Sequence, residues 1–252
     1  MIHLQAVYTL WLREMKGLAR SKSRIAASLG MPFFFLAFLG LGFGSVSFPG
    51  MEIGYTLFLS PGIIGMVILF TSMFAGISVI WDRQFGFLKE ILVTPVNRFS
   101  IMLGRTLGGV TVSLIHALLL LLVSALSGFL VSTPGGVLLS LVYMALVSAI
   151  FVSIGIAFAS RMADMQGFQF IINFFVFPVF LLSGALFPLS NLPGWLLPLT
   201  YINPLSYGID GIRGSLVGVQ EFPLALDAAA LVGFAVLFLS IGSYLFSRTE
   251  VS

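Results

Sequence analysis

None of the 252 residues is cysteine, and only 8% are charged. The first absence excludes a disulfide framework, a thiolate metal site and cysteine nucleophile chemistry. The second excludes an ordinary soluble domain, in which about 25% of residues are charged. Between Thr106 and Ser160 there is no Lys, Arg, Asp or Glu at all. No HxxxH or paired carboxylate occurs, and His3 and His116 stand far apart, so no metal-ligand spacing is found. A phosphate-cradling GxxxxGKS or GxxxxGKT is missing too, so the chain does not bind and hydrolyse ATP by that route. Carriers driven by ion gradients place Asp, Glu or Lys at mid-membrane, and the long apolar windows of this sequence contain none.

What is abundant is hydrocarbon. Hydrophobic residues make up 59% of the chain, with 26 Phe and 27 Gly, and the mean hydropathy is +1.11. A helix needs about 20 apolar residues to cross the hydrocarbon core, and windows of that length predict six spans: Ile25–Gly44, Leu57–Ile80, Leu107–Leu130, Val137–Ser160, Phe168–Phe187 and Ala228–Phe246. Backbone groups cannot stay unpaired in lipid, and the short alternating strands of a barrel are absent. The expected fold is therefore all-α and polytopic, a single transmembrane domain over 1–252. The Ser132–Gly136 cluster, with Pro134 and two glycines, makes the third and fourth spans a hairpin.

The net charge of +3 implies no nucleic-acid partner, because membrane orientation accounts for it. With both termini cytoplasmic, eleven of the 12 Lys and Arg fall inside and only Arg213 outside. The cell membrane is the expected location. The apolar run after Arg24 is too long for a signal-peptide core and has no convincing cleavage site.

Three segments outside the spans have their own patterns. Within 1–24, Leu4, Val7, Tyr8, Trp11, Leu12, Met15 and Leu18 share an arc of about 140°, with Arg13, Lys16 and Arg20 opposite. This predicts a helix in the interface facing membrane lipid, as a basic leader that sets topology or as an elbow anchoring the first span. Within 81–106, Phe85, Leu88 and Leu92 recur at helical spacing with Arg83, Lys89 and Glu90 between them. The helix they form ends near Val93, because Thr94 precedes Pro95. Apolar side chains facing cytosol mark a docking surface, and a helix resting on headgroups is the alternative. Within 188–223, Asn203 reads as an N-cap with Pro204 at the first helical position, and Asp210 lies three residues before Arg213 on the same face. A pair of short helices re-entering the outer leaflet suits this apolar composition better than a solvated loop. In the spans themselves the polar candidates are His116, Gln169 and Asn173, suited either to lining a pathway or to plain interhelical hydrogen bonding.

The segment Trp81–Arg98, with Asp82-Arg83, Gly86, Lys89-Glu90 beside Leu88, and Thr94-Pro95, resembles the signature of type-2 ATP-binding-cassette (ABC) exporter permeases. Within them it is most similar to the daunorubicin-resistance and nodulation-factor export permeases. Asn203-Pro204-Leu205-Ser206-Tyr207 with Asp210 and Arg213 resembles that family's segment before the last span. Gln84 is a departure, since an acidic residue is common there. The resemblance implies a non-enzymatic half-transporter with no cofactor of its own. Two permeases, as a homodimer or a heterologous pair, would join two ATPase subunits that bind ATP and Mg. Residues 81–95 would form the coupling helix that docks on the ATPase, with Phe85, Leu88 and Leu92 as its apolar contacts, Asp82, Arg83, Lys89 and Glu90 in polar registration, and Gly86, Thr94 and Pro95 belonging to the same docking segment. A lipophilic or amphipathic, drug-like or lipid-linked cargo fits the charge-free spans, with multidrug efflux as one form. Polysaccharide, lipo-oligosaccharide or haem-maturation cargo remains open, as does a solitary enzyme or channel.

Overall fold

The computed structural model describes residues 3–44, 53–126, 128, 133–162 and 164–248. Among these there is no strand. The chain runs through α1 (Leu4–Arg20), α2 (Lys22–Gly42), α3 (Tyr55–Ala75), α4 (Ile77–Gln84), α5 (Phe87–Val93), α6 (Arg98–Leu126) and α7 (Pro134–Arg161). It continues through α8 (Met165–Ile171), a π-helical turn (Ile172–Val176), α9 (Phe177–Leu181), a short 3₁₀ turn, α10 (Leu197–Ile202), α11 (Pro204–Val217) and α12 (Leu224–Ser247). Among the described residues four helical stretches are long and apolar enough to cross a membrane: Tyr55–Gln84, Arg98–Leu126, Pro134–Arg161 and Leu224–Ser247. The expected first and fifth spans fall on shorter apolar helices, Ser28–Gly42 and Met165–Leu181.

The third expected span is displaced. The sequence pattern starts it at Leu107, but α6 begins at Arg98, so of residues 81–106 only 85–86 and 94–97 lie outside helices. Arg105 ends the charge-free run on its N-terminal side. In the folded chain Arg105 is 3% exposed inside α6, its charge met by Asp82 from α4. The turn between α6 and α7 lies largely outside the described residues, and α7 begins at Pro134, before the expected start at Val137, so Pro134, Gly135 and Gly136 are the first helical residues instead of turn residues. Thr133 is the N-cap, its side chain accepting from the Gly136 N–H, and Pro134 occupies the first turn.

The core is a crossing of α3, α6 and α7. A Cβ on Gly76 would sit 2.3 Å from the Gly155 carbonyl oxygen, so α3–α4 and α7 touch backbone to backbone there. One turn away Ser72 bonds Ser113 of α6 at 3.0 Å and Ser148 of α7 at 2.9 Å, which joins all three helices through hydroxyls. Around it lie Ile68, Leu69, Met73, Phe151 and Val152, all buried. α11 inserts against α3, α7 and α12, with Ile209 over Gly65 and Gly211 against the Tyr143 ring.

α1 does not simply rest on a surface. His3 N–H donates to Ser100 Oγ, and Trp11 Nε1 donates to Thr111 Oγ1 at 3.0 Å, which sets α1 alongside the first turns of α6. Gly104 and Gly108 leave room for it: Cβ atoms there would meet Val7 and Leu10 at about 3 Å and Glu14 Cγ at 2.7 Å. This small-residue pair, unremarkable in a sequence with 27 Gly, is the seat of α1. Leu4 and Tyr8, on the apolar arc but away from α6, remain exposed.

Candidate functional site

The predicted coupling segment forms at the end of the bundle where α4, α5 and α6 meet. Phe85 caps α4, and Gly86 at φ 79° reverses the chain, a left-handed conformation natural to glycine. α5 then runs to Val93, and Thr94 before Pro95 is extended at φ −65°, ψ 146°, ending the helix as predicted. Phe85 therefore precedes α5 instead of sharing its face. Phe85 is 74% exposed and Val93 85% exposed, and Phe87, also exposed, joins them though the spacing argument had passed it over. Glu90, Thr94 and Pro95 are exposed. The side chains of Leu88, Lys89 and Leu92 lie outside the described ones.

Two residues expected on this docking face turn inward. Asp82 is 7% exposed, and its Oδ2 accepts from Arg13 Nη2 of α1 at 2.7 Å and from Arg105 Nη2 of α6. Glu14 lies 3.9 Å from Arg13. Arg83 donates to the carbonyls of Ser160 and Met162 at 2.7 and 2.8 Å, so it caps the end of α7, where a cation is favoured by the free carbonyls and the helix dipole. Arg98 bonds the Ser247 carbonyl at the end of α12 in the same manner. Sequence spacing cannot distinguish a charge on a docking face from one closing a neighbouring helix, because both stand between apolar positions.

At the opposite end of the bundle Asn203 caps α11 as predicted. Its Oδ1 accepts from Leu205 N–H at 3.0 Å, while its Nδ2 donates to the Val179 carbonyl of α9 at 2.8 Å. Pro204 takes the first turn, and the Tyr207 hydroxyl donates to the Tyr201 carbonyl. The expected Asp210–Arg213 pair is replaced by other contacts. Asp210 accepts from the backbone N–H of Glu221 and Phe222 at 2.8–3.0 Å, drawing residues 218–223 over α11. Arg213 donates to the Gly184 carbonyl at 2.7 Å and more weakly to that of Phe58 at 3.4 Å, its guanidinium 3.8 Å from the Phe58 ring centroid. Both side chains are buried, so each relies on these partners to replace its lost water. Glu221, which the sequence did not single out, accepts from Leu189 N–H at 3.0 Å and ties the chain after α9 to this corner. Asp227 in the first turn of α12 is fully buried with neither carboxyl oxygen bonded.

The three pathway candidates do not converge. His116 is buried in α6 and uses Nδ1 on the Val112 carbonyl at 2.8 Å, a bond within its own helix. Gln169 and Asn173 are exposed on α8 and the π turn. At 100° per residue they share a narrow arc with Gln166, and the exposed rings of Phe170, Phe174 and Phe177 lie beside it. Phe170 and Phe174 stack at 4.9 Å. A π turn commonly marks a functional position in a helix. A separate groove of about 520 Å³ between α6, α7 and α12, walled by residues such as Leu107, Val142 and Leu239, is almost wholly apolar. Among the described residues no three His, Asp or Glu side chains are placed to hold a metal ion.

These features meet in one comparison. The ABC-2 type transporter family pattern matches residues 5–217, from α1 through α11. Nodulation protein J of Sinorhizobium fredii is 30% identical over 92% of this chain and 90% of its own length. The inner membrane transport permease YadH of Escherichia coli is 28% identical over 94% of both chains. With an exposed aromatic turn at the end of a membrane-length helix, and a matching pattern over most of its length, the chain belongs to the ABC-2 type transporter family and is a transport permease of the membrane.

Proposed function

We propose that two copies of this permease assemble with two ABC ATPase subunits and export a lipophilic or amphipathic solute from the cytoplasm, with ATP and Mg held by the ATPases. In this reading six spans place both termini, α1 and α5 in the cytoplasm, and α10–α11 re-enter from the outer side. The observation that carries it is the exposed trio Phe85, Phe87 and Val93, presented on a tight turn between two membrane-length helices. Exposed apolar groups at that place serve a protein cleft. Glu90, Thr94 and Pro95 flank the trio, and Lys89, Leu88 and Leu92 belong to the same helix. Asp82 and Arg83, being turned inward, hold the turn in place instead of docking. The amides of Gln166, Gln169 and Asn173 would be poorly served by lipid, so this face meets the second permease and the cargo. His116, bonded within its own helix, is assigned no cargo contact.

A second reading of the cargo has its own support. Carboxamides next to stacked phenyl rings suit sugar hydroxyls and sugar faces as well as they suit a drug, which keeps a lipid-linked saccharide in view. The test of the assembly is Phe85→Asp. Placing a carboxylate in an apolar cleft costs several kcal/mol, and about 2.7 kcal/mol already weakens binding about 100-fold. Co-purification of the ATPase is expected to be lost while membrane insertion persists, since Phe85 supports nothing in the fold. Normal co-purification would remove this turn from the interface.

A further inference from the structure

We infer that the apolar cleft between α6, α7 and α12 holds one acyl chain of an anionic phospholipid whose phosphate is gripped by Arg98 and Arg248. The site lies apart from the α5 turn and the amide face. It depends on neither ATPase nor cargo, so it stands or falls separately from the function proposed above.

The cleft has a closed foot and an open length. At the foot α6 and α12 meet: the Arg98 side chain crosses to the Ser247 carbonyl, and a Cβ on Gly242 of α12 would come 2.5 Å from Met102 Cε of α6. Above this contact the wall passes to α7, and about 520 Å³ lies between Leu103, Leu107 and Val110 of α6, Leu138 and Val142 of α7 and Leu239 of α12. That size is within the range of about 300–1,000 Å³ for single-ligand pockets. Thr106 is the one lining residue with a polar side-chain atom, and its hydroxyl oxygen is covered. A wall of carbon offers a ligand rich in amides or hydroxyls no partner for its polar groups, whereas it suits a flexible alkyl chain. Leu138 and Val142 are more than half exposed, so the cleft opens sideways to the bilayer.

The foot supplies the opposite chemistry. α6 has 29 residues, a length of about 43 Å at about 1.5 Å per residue, which matches the about 40–45 Å of a bilayer with its headgroups. Arg98, its first residue, therefore stands at headgroup depth, and Leu103, about 7.5 Å further along, stands at the edge of the hydrocarbon. A phospholipid in that register puts its phosphate at Arg98 and its first methylenes at Leu103. Arg248 follows Ser247 directly and is exposed, its guanidinium 5.1 Å from the Tyr244 ring centroid. A guanidinium carries five N–H donors in a fork that fits phosphate oxygens, so Arg98 can serve the helix end and a phosphate together. A zwitterionic headgroup would bring its own cation against both arginines, which selects an anionic lipid.

The experiment places the full permease in phosphatidylcholine liposomes with bimane on Val142→Cys, the single thiol of an otherwise cysteine-free chain. Quenching by phosphatidylglycerol carrying a nitroxide on its chain is compared with quenching by phosphatidylcholine carrying the same nitroxide. One cation near a headgroup is worth about fivefold, so phosphatidylglycerol is expected to occupy the cleft at least about fivefold more tightly. In Arg98→Gln with Arg248→Gln the preference is expected to vanish, and in Arg98→Lys with Arg248→Lys to return. Bimane on Phe38→Cys, an exposed position of α2, reads general enrichment of anionic lipid and is expected to show no such preference. Equal quenching by the two lipids at Val142→Cys, a preference that survives loss of both arginines, or the same preference at Phe38→Cys overturns the site. Quenching by neither lipid at Val142→Cys means that another protein chain covers the cleft, and overturns it too. A second arm keeps both arginines and fills the cleft with Ala145→Phe. Phosphatidylglycerol retained through purification, counted by mass spectrometry, is expected to fall by at least about half once the chain loses its apolar contact. Unchanged retention overturns the proposal whether or not the double glutamine variant folds.

Discussion

Arg213 offers the sharpest test of the corner built by α11. Its position beside Asp210 suggests a surface ion pair, but the guanidinium is 3% exposed and bonds carbonyls from two other parts of the chain. Truncation in Arg213→Ala removes a charged hydrogen bond to the Gly184 carbonyl, worth about 1.5–3 kcal/mol, and a cation–π contact worth about 0.5–2 kcal/mol. The 3.4 Å contact to Phe58 adds little. Some of the loss is returned because a desolvated cation is also removed, which leaves an expected destabilisation of about 2–4 kcal/mol. For a chain of this size that lowers the melting temperature by roughly 5–15 °C, measured by intrinsic fluorescence in detergent. Because Asp210 is satisfied by the N–H groups of Glu221 and Phe222, Asp210→Asn does not rescue Arg213→Ala, and the two changes add within about 1 kcal/mol. A silent Arg213→Ala, or recovery in the double variant, would show that the residue is a solvated charge or a true salt-bridge partner and would refute the carbonyl-staple account.

Other outcomes are expected from the same contacts. Cysteines at Thr133 and Ser190 should react with an impermeant reagent from outside the cell, whereas those at Ser23 and Asn97 should not; labelling of all four from one side would end the six-span topology. The sites Ser47 and Ser252 extend the same test but lie outside the described residues. Asp227 is buried without a donor and only its place in the first turn of α12 favours it. Asp227→Leu should therefore keep or raise thermal stability, by up to about 1–3 kcal/mol, and a loss beyond about 1 kcal/mol would reveal a partner for this carboxyl in the assembled transporter.

The sequence alone determined the helical, membrane-embedded character of the chain, because hydropathy and backbone hydrogen bonding act locally and are read residue by residue. Local rules also placed the break after Val93 and the Asn203–Pro204 start of α11, since each is set by the dihedral or donor preferences of two or three neighbours. Charge roles were decided by tertiary structure. Asp82 and Arg83 looked like a docking edge until α1, α6 and the end of α7 came within reach of them, and Arg105 looked like a loop cation until Asp82 met it inside α6. The Arg213–Asp210 spacing was equally persuasive along one helix, but two closer sets of backbone partners, at Gly184 and at Glu221–Phe222, took both side chains. A buried ionisable group goes to whichever partner can replace its lost water, and that partner lies 29 residues from Arg213 and 69 from Asp82 along the chain, where no periodicity reports it.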